Sequence, residues 1–152
     1  MSAPPVGVRV AEARVDDDED WLELRTLLWP ESPGDHPPEM ESIRTSDELI
    51  CFIARQSDGR AVGFAEAAIR RDYVNGCDTS PVGFLEGIYV VSARRRQGVA
   101  RQLLAAVTDW VRAQGCTELA SDAELDNGVS HAMHAALGFE ETGRVVCFRQ
   151  RI

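Results

Sequence analysis

No apolar run in this chain approaches the ~20 residues of a membrane span. Its start has no basic stretch followed by an apolar one, so no secretory leader is expected. Repeats, low-complexity tracts and linkers are missing too. Cysteine is sparse: Cys51, Cys77, Cys116 and Cys147 are widely spaced and form no C-x-x-C pair. Three of the four lie in apolar, strand-like surroundings, where a cysteine acts as a small core hydrophobe, and disulfides are not expected. Positive charge is also short. Sixteen basic side chains face 25 acidic ones, for a net charge of -9 at pH 7. That argues against non-specific binding to nucleic acid or anionic membranes and is compatible with a cationic substrate. The expectation is one cytoplasmic domain over residues 1–152, with enough chain for a real core.

The apolar pattern supplies the elements. Residues 6–13 alternate as a first strand. The acids Asp16 to Asp20 then precede Trp21, Leu24 and Leu28 at helical spacing, which predicts a helix over 18–28 with the acidic run as its cap. The proline-rich stretch 30–38 reads as a loop before a short helix near 39–45. Strands are expected at 49–55 and 61–71, joined by a turn at 57–60, and again at 84–91 after a loop over 72–82. Val99, Leu103, Leu104, Val107, Trp110 and Val111 share one face of a helix over 97–114, which Gly115 ends. A short strand at 118–122, a helix at 128–137 closed by Gly138, and a final strand at 144–151 complete the chain. The order β-α-α-β-β-β-α-β-α-β implies a mixed, mostly antiparallel α/β (α+β) sheet flanked by helices. A single right-handed crossover joins its parallel strand pair.

The most informative segment runs from Ile88 to Ala100. A β-branched and aromatic run enters the turn Arg94-Arg95-Arg96-Gln97-Gly98, which opens the long helix. A helix N-terminus leaves amide donors without partners, and with the helix dipole these favour phosphate. Three arginines add charge there, and Gly98 lets a ligand approach the backbone. The other reading of the turn is an ordinary basic surface loop.

Arg95-Arg96-Gln97-Gly98-Val99-Ala100 resembles the pyrophosphate loop Arg/Gln-x-x-Gly-x-Gly/Ala of the GCN5-related N-acetyltransferase superfamily. Asn127, followed by His134 and then Leu137-Gly138-Phe139, resembles that family's later Asn and Tyr positions, with His standing for Tyr. A narrower resemblance rests on five blocks: Leu28-Trp29-Pro30, Asp72-Tyr73-Val74-Asn75-Gly76, Phe84-Leu85-Glu86-Gly87-Ile88, Ala120-Ser121-Asp122 and Ala136-Leu137-Gly138-Phe139-Glu140-Glu141-Thr142. These are similar to the aminoglycoside 6'-N-acetyltransferases. The resemblance implies the fold of that superfamily, with a parallel strand pair that splays to hold acetyl-CoA. It also implies transfer of acetyl to an aminoglycoside 6'-amine in a ternary complex, conferring resistance, and a homodimer formed near residues 145–149.

Roles follow residue by residue. Ile88, Tyr89 and Val90 would offer backbone to the pantetheine arm, which adds like a strand to an edge. Arg95, Arg96, Gln97, Gly98, Val99, Ala100 and Arg101 would cradle the pyrophosphate, and Asn127 would touch the CoA arm or cap the helix after it. Glu86 lies amid apolar residues, where a carboxylate is expensive unless solvated or paired. The resemblance turns it toward the acceptor cleft as a candidate for binding and catalysis, sharing those roles with Asp122 in a division left open, whereas simple alternation would put it on a wet face. Asp122 ends its strand at the sheet's opening and is the candidate base, with helix capping as the other reading. Tyr73 and Trp29 are candidate acceptor contacts, Tyr73 also a candidate for catalysis. His134 in place of Tyr leaves the general acid open between His134, Tyr73 and none. Gly143 stands where close relatives often carry an acid. No metal is expected, although His131 and His134 share a helix face. The alternatives are an enzyme of the same fold acting on a polyamine or a protein N-terminus, and a CoA-binding module without catalysis.

Overall fold

The computed structural model describes residues 7–152, so Val6 of the expected first strand lies outside the described residues. Five strands form one sheet in the order β1-β2-β3-β4-β5: β1 Val8–Glu12, β2 Leu49–Gln56, β3 Ala61–Arg70, β4 Val82–Val90 and β5 Leu119–Ser121. The first four are antiparallel neighbours, and β4 and β5 run parallel. The parallel ladder pairs Gly83, Phe84 and Leu85 with Leu119, Ala120 and Ser121, and no further.

Helices cover both faces. On one, α1 Asp18–Leu28 and α2 His36–Thr45 bring Trp21, Leu24 and Met40 against Cys51, Ile53 and Phe64. On the other, α3 Val99–Ala113 seats Val99, Leu103, Val107 and Val111 against Ala65, Ala67, Leu85 and Ile88. Each such buried Leu or Val contributes roughly 1.5–3 kcal/mol. The side chains on α4 Gly128–Ala136 are less enclosed: Met133, followed by Leu137 and Phe139, packs at the margin of that second cluster. The acidic run gives α1 no side-chain cap bond, contrary to expectation, and is held instead by its own pairings. Asp17 accepts from the Arg14 amide at 2.8 Å, Asp17 and Asp20 pair with Arg55, and Asp18 pairs with Arg44.

Three more expectations are corrected. The stretch 30–38 is not loop throughout: Pro33–Asp35 is a 3₁₀ turn, and α2 starts at His36 with prolines in its first turn. A proline there gives up no hydrogen bond, because the first helical amides lack partners anyway, and its φ is already helical. The strand expected at 144–151 is not formed. Residues 140–152 run without a described strand, and Val145, Val146, Phe148 and Ile152 are exposed, Phe148 at 92%. An alternating segment becomes a strand only beside an edge that takes its hydrogen bonds, and here the tail leaves the sheet. Cys147 is therefore exposed rather than core, and Cys77 is half-buried, while Cys51 and Cys116 are buried as expected.

Candidate active site

The site forms where β4 and β5 part. Beyond the last rung, Leu85 to Ser121, no strand lies beside that edge of β4 among the described residues. The split coincides with a bulge. Glu66 of β3 pairs with Gly87 and Ala67 with Leu85, so Glu86 is the extra residue on β4. A bulge bends its strand and re-aims a side chain. The backbone of Ile88, Tyr89 and Val90 continues past the split with one edge open.

That edge leads into the basic turn. A 3₁₀ turn at Ser92–Arg94 precedes it, Arg96 has φ 60° and Gly98 φ 82°, and α3 begins at Val99. Alternating left-handed residues turn successive amides toward one point, which is an anion nest. The first α3 bond runs from the Gln102 amide to the Gly98 carbonyl, so the amides just before it are available to a ligand. A Cβ on Gly98 would meet nothing within 4 Å. Glycine is needed there for its φ and not for packing.

The arginines divide their work. Arg94 reaches Gln56 at 2.6 Å and Gln97 at 2.8 Å, bracing the turn against the β2–β3 hairpin. Arg95 folds back, donating to the Val90 carbonyl at 3.0 Å with its guanidinium 5.5 Å from the Tyr89 ring centroid. Arg101 ties α3 to the Ala136 carbonyl. Arg96 is exposed beside the nest. Asn127 caps α4, its Oδ1 accepting from the Ser130 amide at 3.1 Å.

Across the split, Asp122 follows β5 directly, is exposed, and engages no other described side chain. Glu86 does not stand open. Arg70 grips it through Nη2 at 2.8 and 3.0 Å and through Nε at 3.2 Å, while stacking 3.5 Å over Phe84. Tyr73 is 79% exposed on the loop between β3 and β4. Glu118 anchors that loop's far end, accepting from the Asp78 and Thr79 amides and the Thr79 hydroxyl, and the Thr79 hydroxyl in particular holds its carboxyl below the ordinary value. His134 stands at the inner end of the split. Its Nδ1 lies 2.7 Å from the Ser130 carbonyl, which makes Nδ1 the donor and leaves Nε2 to accept from Ser121 Oγ at 2.7 Å. His131 Nε2 instead meets the Glu124 carbonyl.

Three features were missed in the sequence. Arg70 is the partner of Glu86, which it holds at an exposed position rather than a buried one. Gly87 is the gap that Trp29 fills, since a Cβ there would meet Trp29 Cζ2 at 2.4 Å. The buried group Arg25, His36 and Glu66 lies behind Trp29. Glu66 sits in Ala61-Val62-Gly63-Phe64-Ala65-Glu66-Ala67-Ala68-Ile69, the same pattern of one carboxylate in an apolar strand that drew attention to Glu86. Arg25 lies four residues after Trp21, on the buried face of α1.

A fold with a parted parallel pair, an amide nest at the end of one strand and a carboxylate at the end of the other defines an acyl-CoA-dependent transferase. The family model described as "Acetyltransferase (GNAT) family" matches residues 21–139, and the chain belongs to that family. Among curated relatives, an aminoglycoside N(6')-acetyltransferase type 1 from Serratia marcescens is 55% identical over 87% of this chain and 91% of its own. One from Acinetobacter haemolyticus is 51% identical over 88% and 91%. Among solved structures, the aminoglycoside 6'-N-acetyltransferase AAC(6')-Ih from Acinetobacter baumannii superposes with a TM-score of 0.93 at 46% identity, covering 96% of this chain and 99% of that one. AAC(6')-Iy in complex with a bisubstrate analogue, CoA-S-monomethyl-acetylneamine, gives 0.91 at 49% identity over the same shares.

Proposed function

We propose that this protein transfers the acetyl group of acetyl-CoA to the 6'-amino group of aminoglycoside antibiotics and so confers resistance to them. The observation that carries the reading is the site's two poles, with an amide nest for an anion at the end of β4 and Asp122 with Glu86 for a cation at the split. Relatives named for this activity at 50–55% identity support it over a polyamine or protein acceptor.

The residues fit the co-substrate. The amides before Gln102 take the pyrophosphate with Arg96 beside them, and the open edge of Ile88 to Val90 takes the pantetheine arm as an added strand. When bound, acetyl-CoA supplies the activated acyl group. An amide of β4 at the split is placed to hold the thioester oxygen as it gains charge. An ammonium cannot attack, so Asp122 accepts a proton from the 6'-ammonium directly or through one water. Glu86, already neutralised in part by Arg70, attracts and orients the cationic sugar rather than taking its proton. Trp29 and Tyr73 border the acceptor. Neutral His134, with its Nδ1 proton on the Ser130 carbonyl and its Nε2 accepting from Ser121, has no proton to give the departing thiolate; only its imidazolium could, and a thiol of pKa about 8.5 also leaves unaided.

The working unit is a homodimer in the cytoplasm, where acetyl-CoA is available. The exposed Val145, Val146 and Phe148 and the unpartnered outer edge of β5 support pairing of this tail with a second copy. Thiol release from acetyl-CoA in the presence of kanamycin, tobramycin or a polyamine tests the reaction. Release with aminoglycosides and not with polyamines is expected. Release with polyamines alone overturns the acceptor, and tight CoA binding with no release overturns catalysis.

A further inference from the structure

A charged group lies buried between α1, α2 and β3, where the reaction does not use it. Arg25, His36 and Glu66 are only 2%, 2% and 4% exposed. Arg25 Nη1 donates to both Glu66 oxygens at 3.0 and 3.1 Å, and Trp21 Nε1 donates to Glu66 Oε2 at 2.9 Å. Arg25 Nη2 pairs with Glu39. Arg25 Nε donates to His36 Nδ1 at 3.2 Å, so His36 carries its proton on Nε2, which lies 3.0 Å from the Trp29 carbonyl. Every polar atom of the group is satisfied. Charges taken this far out of water are costly, and hydrophobic residues of similar size would hold a core as well. One line of it leads to Trp29: Arg25 Nε holds His36, whose Nε2 donates to the Trp29 carbonyl.

Trp29 is held at four points. Its amide donates to the Arg25 carbonyl at 2.7 Å, its carbonyl accepts from His36, and the Arg25 guanidinium lies 4.9 Å from its ring centroid. Its ring meets Phe64 edge-on at 5.8 Å. The far edge of the indole then fills the space over Gly87, the residue after Glu86 and the one that pairs with Glu66 across the bulge. The group thus links the turn after α1 to the strand position at which β4 departs from regular pairing.

We propose that Arg25, His36 and Glu66 are a positioning unit for the acceptor side of the site: they clamp Trp29 onto Gly87 and so set the wall against which the aminoglycoside sits beside Glu86. This rests on the functional reading above. The unit touches neither the nest nor the open edge of β4, so it governs the amine and not CoA.

The test compares His36→Ala and Gly87→Ala. The first removes the hydrogen bond to the Trp29 carbonyl. The second pushes on the indole from the opposite side and leaves the buried group intact. Steady-state kinetics with tobramycin, CoA titration and fluorine NMR of 5-fluorotryptophan protein, with the Trp29 signal assigned by Trp29→Phe, are read for both. Each variant is expected to raise the tobramycin KM about tenfold with kcat within about threefold. CoA affinity stays within about twofold, and the Trp29 signal shifts. A merely structural defect would lower active enzyme and leave KM alone. Folded variants with unchanged KM, or with CoA affinity falling in step, overturn the proposal. If His36→Ala does not fold, Gly87→Ala decides. If the unaltered protein turns over no aminoglycoside, the functional reading fails instead. The clamp is then judged by the Trp29 signal, and no shift in either variant overturns it.

Discussion

Glu86 and Asp122 each lie one residue beyond the last rung of the parallel ladder, Leu85 to Ser121. Two adjacent strands therefore release a carboxylate at the same level, where they stop sharing hydrogen bonds. Their surroundings differ. Glu86 is bound by Arg70, and Asp122 engages no described side chain. A carboxylate committed to a guanidinium is a poor proton acceptor, whereas a solvated one keeps its lone pairs. That difference favours Glu86 for binding and Asp122 for base chemistry.

Asp122→Ala is expected to lower kcat with an aminoglycoside by about a hundredfold or more, in the range of a lost general base. CoA affinity, measured by titration calorimetry, should stay within about twofold. An unchanged kcat removes Asp122 as the base.

Glu86→Gln removes the negative charge opposite Arg70 and leaves the pair net positive. The aminoglycoside KM should rise about tenfold with kcat within about threefold, because attraction of the free cation is what is lost. The effect should shrink as salt rises, since both side chains are partly exposed and screened. A fall in kcat at unchanged KM would give Glu86 the proton instead.

Gly98→Val places a β-branched side chain at φ 82°, a conformation that costs an ordinary L-residue roughly 1–2 kcal/mol. Its Cβ also enters the open space over the nest. CoA affinity is expected to fall about tenfold or more, with the aminoglycoside KM little changed. Equal CoA affinity would move the pyrophosphate away from this turn.

Much of this was legible in the sequence for a definite reason. The helix face of Val99, Leu103, Val107 and Val111 and the turn around Gly98 depend on local periodicity and local conformation, which neighbouring residues fix. The length of the β4–β5 ladder does not. It depends on where Glu86 bulges out, beside Gly87, which is packed under Trp29 from a turn nearly sixty positions away. The Arg70–Glu86 pair, the Arg25–Glu66 pair and the Ser121–His134 bond are likewise contacts between distant segments, and no single window of sequence contains both partners. The 144–151 segment carries a strand pattern without an edge of its own to complete it.

Burial pushes the Glu66 carboxyl up to about 7, against the opposing pull of Arg25 and Trp21. A carboxyl that binds its proton more tightly in the native state than in the unfolded chain favours folding at low pH. That advantage is whole below about 4.5 and is lost as pH rises through about 7. Each tenfold gain in proton affinity is worth about 1.4 kcal/mol, so the loss across that window is on the order of 3–4 kcal/mol. Urea unfolding followed by tryptophan fluorescence at pH 5 and pH 8 reads it, with Glu66→Gln as the reference. The unaltered protein should lose stability relative to Glu66→Gln as pH rises. A difference that is flat or of opposite slope would mean that Arg25 outweighs burial at this position.

The tail beyond Thr142 exposes Val145, Val146, Phe148 and Ile152, and burial of each would contribute roughly 1.5–3 kcal/mol. Thr142 itself lies against Gly76 on the loop that carries Tyr73, so the root of the tail is fixed while its apolar part extends outward. β5 has no strand on its outer edge among the described residues, and Leu125 and Val129 are exposed beyond it. An unpaired edge next to unpaired strand-forming residues is resolved most economically by a second copy, because each tail then serves the other's edge. Light scattering at micromolar concentration should give the mass of a dimer for the full chain and of a monomer for a chain ending at Thr142. Phe148→Asp should shift the full chain toward monomer without altering the far-ultraviolet circular dichroism of the sheet. A full chain that is monomeric at that concentration overturns the dimer, and a shortened chain that stays dimeric places the contact elsewhere.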